Sequence, residues 1–282
     1  MSAGDRPLPR VARRGAGRAR LARALLLVAA VAAGGCASRG TGADGGDAAH
    51  ERGARDLPLP LDGRLSGYAL SFDGLNDYAT MGNAGFPPAG SPQTVELWVN
   101  YQSAASTQDF YAARLDYDAG VQIGLRDGTV SVWRTFANRV LVAAPALPPV
   151  GVWHHVAYTF DRTTHTLYID GVMVASSTAT GDDRTPNQGW LGTVDGSAEL
   201  YKGLMDEVRV WEVARAAADV AKDLLHRPPG PEPGLVAYWT FDDVQSAGHS
   251  LDLTGGGDDV TLGDGIAERM PNRVVSDAPV SP

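Results

Sequence analysis

The chain has a single cysteine, Cys36, in 282 residues, so an intramolecular disulfide framework is excluded. Aromatic residues make up only 7% of it. No apolar run approaches the ~20 residues that span a bilayer; the longest, Ala24 to Ala33, has ten. Basic residues are scarce beyond the first 35, which hold seven Arg against one acid, leaving 17 basic and 32 acidic residues and a net charge of −15 from Cys36 onward. A surface of that sign repels phosphate backbones, so nucleic acid is discounted as a partner. There is no His-Glu-x-x-His zinc motif and no Gly-x-Ser-x-Gly nucleophile elbow. Glu96 stands between Thr94 and Trp98, so the alternating carboxylates that put a glycosidase pair on one strand face are missing there.

The N-terminus is a processing signal. Arg10, Arg13, Arg14, Arg18, Arg20 and Arg23 precede the apolar run, which ends in Ala33-Gly34-Gly35-Cys36. This resembles a bacterial lipobox, which implies acylation of the Cys36 thiol, a membrane partner through the lipid anchor and a place in the cell envelope. Each buried methylene of such a chain adds ~0.8 kcal/mol. Ala37 follows the cysteine where Asp favours inner-membrane retention, which points to the outer membrane in a Gram-negative cell. Residues 37–64 are rich in Gly, Ala, Asp, Arg and Pro without hydrophobic period, a solvated tether with a reach of roughly 30 Å.

From Gly67 the pattern turns to period two, first with Tyr68, Leu70 and Phe72 on one face. Similar runs recur at 94–101, 121–125, 130–135, 153–160, 166–169, 172–176, 204–211 and 235–241. Asp127-Gly128 and Asp170-Gly171 predict type I′ hairpin turns, in which both central residues take positive φ. One helix is expected over 214–225, with Val220, Leu224 and Leu225 as its apolar stripe and Pro228-Pro229 as its stop. Many short strands and one helix predict an all-β fold, an antiparallel β-sandwich of jelly-roll type. Strand parity places Trp98 and Glu96 opposite Val95, Leu97 and Val99, and it groups Leu204, Val208 and Val210 opposite Trp211. Indoles on such faces are packed under covering segments or form a stacking platform for sugar rings. By the same parity, Asp206 and Glu207 should point to opposite faces, and so should His154 and His155.

Five ordered blocks, Ala69–Tyr78, Thr94–Val99, Val152–Tyr158, Leu167–Gly171 and Gly203–Trp211, resemble the laminin-G-like domains related to concanavalin A-like lectins and glucanases. The expected organisation is a signal peptide (1–35), a tether (36–64), a laminin-G-like sandwich (65–228) and a C-terminal extension (229–282) whose strands pack on it. The resemblance implies a non-catalytic module that binds glycan or protein ligands. A polysaccharide hydrolase or lyase on the same fold and a structural spacer are the alternatives. Calcium is the one cofactor considered, because Asp73-Gly74-Leu75-Asn76-Asp77 brings three side-chain oxygen donors to one turn, with Asp206 as a further ligand. The competing expectation is that Asp73 and Asp77 cap the turn.

Overall fold

The computed structural model describes residues 67–82, 86–115, 119–134, 139–179, 185–244, 246 and 248–281; Cys36, the signal segment and the tether lie outside the described residues. In chain order the strands are β1 (Tyr68–Asp73), β2 (Ala79–Met81), β3 (Gln93–Tyr101), β4 (Gln108–Leu115), β5 (Ala119–Arg126), β6 (Thr129–Arg134), β7 (Arg139–Ala143) and β8 (His154–Phe160). There follow β9 (His165–Ile169), β10 (Val172–Ser177), β11 (Gln188–Leu191), β12 (Lys202–Trp211), the helix α1 (Ala217–Asp223), β13 (Leu235–Trp239), β14 (His249–Ser250), β15 (Val260–Leu262) and β16 (Asn272–Val275). They form two eight-stranded antiparallel sheets, as expected of the sandwich. Sheet A runs β10-β9-β8-β3-β12-β1-β16, with β13 also paired to β12; sheet B runs β14-β15-β2-β11-β4-β5-β6-β7.

The core between the sheets follows strand parity where strands are regular. Val95, Leu97, Val99 and Tyr101 of β3 and Leu70 and Phe72 of β1 meet Ile123 and Leu125 of β5 and Val130 and Val132 of β6. The hairpin expectation holds at both turns: Asp127 and Gly128 have φ of 51° and 78°, Asp170 and Gly171 of 51° and 76°. Gly171 is further constrained, since a Cβ there would lie 2.6 Å from Leu224 Cδ2. The hairpin tip thus serves as the seat for the end of α1. That helix is shorter than its sequence pattern. Only Val220 of the stripe is fully buried, against Ala157 and Tyr168, while Leu225 is exposed.

Strand parity fails on β12. Its register with β3 shifts between Asp206 and Arg209, and Glu207 takes φ 54°. This bulge inserts one residue and reverses the phase. Met205, Val208 and Val210 therefore face the core, and Leu204 does not join them. Asp206, Glu207 and Arg209 all reach the outer side of sheet A, which corrects the expectation that Asp206 and Glu207 diverge.

The C-terminal strands are laddered into both sheets: β13 to β12, β16 to β1, β15 to β2. Trp239, Phe241, Val260 and Leu262 belong to the main core. Among the described residues no helix is long and apolar enough to cross a membrane.

Candidate functional site

Sheet A carries the indoles that the sequence placed off the core, and they are packed. Trp98 is 3% exposed and clusters with Ala278 and Val280, with Trp153 and Leu224 packed alongside. Its Nε1 donates to Leu224 O at 3.0 Å, and Trp153 Nε1 donates to Asp277 Oδ1 at 2.6 Å. Trp211 is buried with the Arg215 guanidinium 4.3 Å from its ring centroid. The strap 276–281 and α1 thus cover this face, and no platform for a sugar is open at Trp98.

Beneath that cover lies a layer of ion pairs. Arg215 Nη1 donates to Glu96 Oε1 at 2.7 Å, and its Nη2 pairs with Asp223. His155 Nε2 lies 3.5 Å from Glu96 Oε2. Glu207 accepts from Arg209 Nη2 at 3.0 Å and from the Tyr238 hydroxyl, and Arg227 Nε forms an ion pair with it at 2.7 Å. Arg227 Nη1 reaches Asp242 Oδ2 at 2.7 Å, and Asp242 Oδ1 accepts Tyr68 N–H. Burial pushes Glu96 up, but His155, Arg215 and Arg209 outweigh it and hold its carboxyl below the usual range. Burial and then the neighbouring Glu207 push Asp206 well up, against a hydrogen bond from Ser276 Oγ. Dry, ion-paired charges of this kind hold a layer together rather than bind ligand, although Glu96 Oε2, His155 Nδ1 and Arg209 Nε are buried without hydrogen-bond partners among the described residues. The two histidines diverge as expected, yet both are buried: His154 bridges Asp170 Oδ2 at 2.9 Å and Pro149 O at 3.0 Å.

In the Asp73–Asp77 turn, Asp73 Oδ1 accepts Leu75 and Asn76 N–H at 2.7 and 3.2 Å, and Asp77 Oδ2 accepts Asp73 N–H at 2.9 Å. Burial pushes Asp77 up to about 6, with the Asp73 N–H opposing and the Asp73 charge adding. Asp206 is not brought to this turn. Asp73 pairs with Lys202, and Asp206 lies four residues further along β12, about 13 Å away at strand rise. Among the described residues no three His, Cys, Asp or Glu side chains are grouped to hold a metal.

The outer face of sheet B is built differently. Gly189 and Leu191 of β11 turn inward, since a Cβ on Gly189 would meet Phe86 and Met81 and Leu191 lies in the core; Trp190 therefore faces out and is half-buried. Register then aligns Thr80, Trp190, Ala112, Gln122 and Trp133 across five consecutive strands, about 4.8 Å per step. Trp133 is buried, with Arg126 Cζ 5.4 Å from its ring centroid. Beside this row stands a pair that strand-by-strand reading missed. Gln122 Nε2 donates to Asp109 Oδ2 and Glu199 Oε2, each at 3.0 Å. Asp109 is fully buried on β4; Glu199 is half-buried in the segment before β12 and has φ 53°. Burial, then the hydrogen bond and charge of Glu199, push the Asp109 carboxyl well above its usual range, against Gln122 and Arg114. Gly124 makes room for this arrangement, because a Cβ there would sit 2.0 Å from Gln108 O.

Two antiparallel sheets, a covered face and an opposite face bearing polar and aromatic side chains define a β-sandwich of the lectin-like class. The family model for the concanavalin A-like lectin/glucanases superfamily, of laminin G type, matches residues 72–221, and the chain belongs to that family. No curated protein sequence matches it. Among solved structures it is similar to a candidate carbohydrate-binding protein from Bacteroides ovatus, with 23% identity and a TM-score of 0.61 over 78% of this chain. The chain spans 62% of that protein's length. It is also similar to domain 4 of an extracellular arabinanase from Geobacillus stearothermophilus, solved with arabinotriose (24% identity, TM-score 0.46, 55% of this chain and 75% of that one). A third is a heptameric SAP-like pentraxin from Limulus polyphemus (16% identity, TM-score 0.46, 57% and 82%). The likeness to the Bacteroides ovatus protein bears on the fold alone.

Proposed function

We propose that this protein is an exported, non-catalytic binding module, acylated at Cys36 and displayed on its tether at the outer membrane of the cell envelope, that recognises glycan on the outer face of sheet B. The observation that carries the reading is the row Thr80–Trp190–Ala112–Gln122, with the Asp109–Glu199 pair beside it. An outward indole flanked by the small Ala112 offers an apolar plane, and carboxylate and amide groups next to it match sugar hydroxyls. The covered face of sheet A offers neither. The test is a broad glycan array probed with the Cys36→Ser chain, with and without calcium. Binding is expected, and Trp190→Ala should weaken it roughly tenfold, about 1.4 kcal/mol; silence under both conditions transfers the role to a protein ligand or a spacer. Radiolabelled fatty acid should enter the wild type and not the Cys36→Ser chain, and an unlabelled wild type removes the anchor.

A hydrolase reading draws on the same carboxyl pair. Glycosidase carboxyls stand about 5 Å or more apart with the sugar between them, whereas Asp109 is fully buried and shares the Gln122 amide with Glu199. The pair therefore favours binding. Reducing ends released from a bound glycan, and lost in Glu199→Gln, would overturn that preference.

Calcium enters this reading as a structural ion on the Asp73–Asp77 turn. Asp73, Asn76 and Asp77 would hold it together with turn carbonyls, and Asp206 would take no part. Calcium is then expected to raise the melting temperature, and Asp77→Ala to abolish the rise. A melting curve unchanged by EDTA removes calcium from the account.

A further inference from the structure

The loop 192–200 between β11 and β12 is laced to β4 at both ends. Gly192 N–H donates to Phe110 O at 3.1 Å, and Asp109 N–H donates to Glu199 O at 2.8 Å. Within it, Tyr201 N–H returns to Gly192 O at 2.9 Å, Thr193 Oγ1 donates to Ala198 O at 2.7 Å, and Arg114 Nη1 donates to Val194 O at 3.0 Å. The loop therefore lies along the edge of the row that bears Trp190, and its far end is fixed where the two carboxyls meet. Gln122 supplies each carboxyl with one N–H. Asp109 Oδ1 is buried and has no hydrogen-bond partner among the described residues.

We propose that Asp109 and Glu199 share one proton, and that this proton is the catch holding the loop 192–200 on sheet B, so that access to the binding face is controlled by pH. The control of ligand access rests on the reading of sheet B as the binding face; the catch itself does not. The groups bearing on Asp109 are Glu199 from the loop, Arg114 from its own strand and the neutral Gln122 from β5; Gly124 and Ser131 in the adjoining row do not titrate, and Arg126 on the same face of β5 lies with its Cζ 5.4 Å from the Trp133 ring centroid. Arg114 is the guanidinium that bears on Asp109, against the charge of Glu199. When a base in solvent removes the shared proton, the O–H bond is lost, and two carboxylates face each other in a site with little water to screen them. The sign follows from the raised Asp109: the folded loop holds its proton over a range where the free carboxyl has lost it, so loop stability falls as pH rises through that range.

The test is hydrogen exchange of the amides 192–200 in the full chain from pH 5 to 9, each rate divided by the unstructured rate at the same pH. Protection is expected to fall about tenfold or more with rising pH, and to stay flat in Asp109→Asn, which keeps both hydrogen bonds without a titrating proton. Glu199→Gln, at a more exposed position, serves the same purpose should the buried substitution misfold. Flat protection in the wild type overturns the proposal, as does a slope kept in both variants. Recovery of protection at high pH on adding calcium overturns it too, because the pair would then hold a cation. If the slope is found while no glycan binds at any pH, the catch stands and the ligand reading falls.

Discussion

A chain shortened to end at Pro228 is expected not to fold, although the family match closes at residue 221. The segment removed carries Trp239, Phe241, Val260 and Leu262, at most 2% exposed and all within the main core. Emptying one such site costs about 2–5 kcal/mol, so losing four together is as large as the roughly 5–15 kcal/mol that hold a domain. The loss also uncovers β1 along its whole pairing with β16 and leaves Trp98 without the Ala278 and Val280 that cover it. Expression of residues 60–228 should yield aggregate or a molten chain with no near-ultraviolet circular dichroism from its tryptophans. A cooperative melt from that fragment would show that β13 to β16 are an accessory layer after all.

Replacing Glu207 by alanine is expected to lower stability by about 3–5 kcal/mol, the penalty for stripping one partner from a buried ion pair. Its carboxylate is 1% exposed and receives Arg209, Arg227 and the Tyr238 hydroxyl. Without it the Arg209 guanidinium, also 1% exposed, keeps its charge in the same dry layer with a backbone carbonyl from Asp223 and one from His226. Glu207→Gln should fall between, since the amide oxygen still accepts but carries no charge. Denaturant unfolding measures both. A loss under about 1 kcal/mol for the alanine variant would mean that the layer is hydrated and contributes as little as surface pairs do.

The sequence was most legible where strands are regular and turns are chemically marked. On β3 the alternation assigns Val95, Leu97 and Val99 to the core and Trp98 and Glu96 to the outside, as found. The two Asp-Gly pairs name their turns because the residues that accept positive φ are themselves the signal. On β12 the same reasoning fails, since the bulge residue is Glu207, in a left-handed conformation with no glycine to announce it. Counting by twos then misplaces Leu204, Met205 and Asp206, while Glu207 and Arg209 keep the side it assigns them. Strand β4 escaped notice for a different reason. Its outward residues include Ala112 and it bulges near Asp109, so both faces are buried and no period of two survives in Gln-Asp-Phe-Tyr-Ala-Ala-Arg-Leu. The candidate site suffered most. Asp109 and Glu199 are brought together only by the β4 ladder and a loop whose Gly-Ser-Ala-Glu sequence reads as an ordinary turn.

The first and last strands of the fold lie side by side. Strand β1 is flanked by β12 on one edge and β16 on the other, Ser276 N–H donates to Gly67 O at 2.9 Å, and Tyr68 N–H is fastened to Asp242. Whatever pulls on the chain ahead of Gly67 therefore pulls along a strand hydrogen-bonded on both sides. The two ladders are loaded in shear and share the load, where a strand at a sheet edge would peel away one bond at a time. A force passed along the chain into the domain meets it at a strand laddered on both edges.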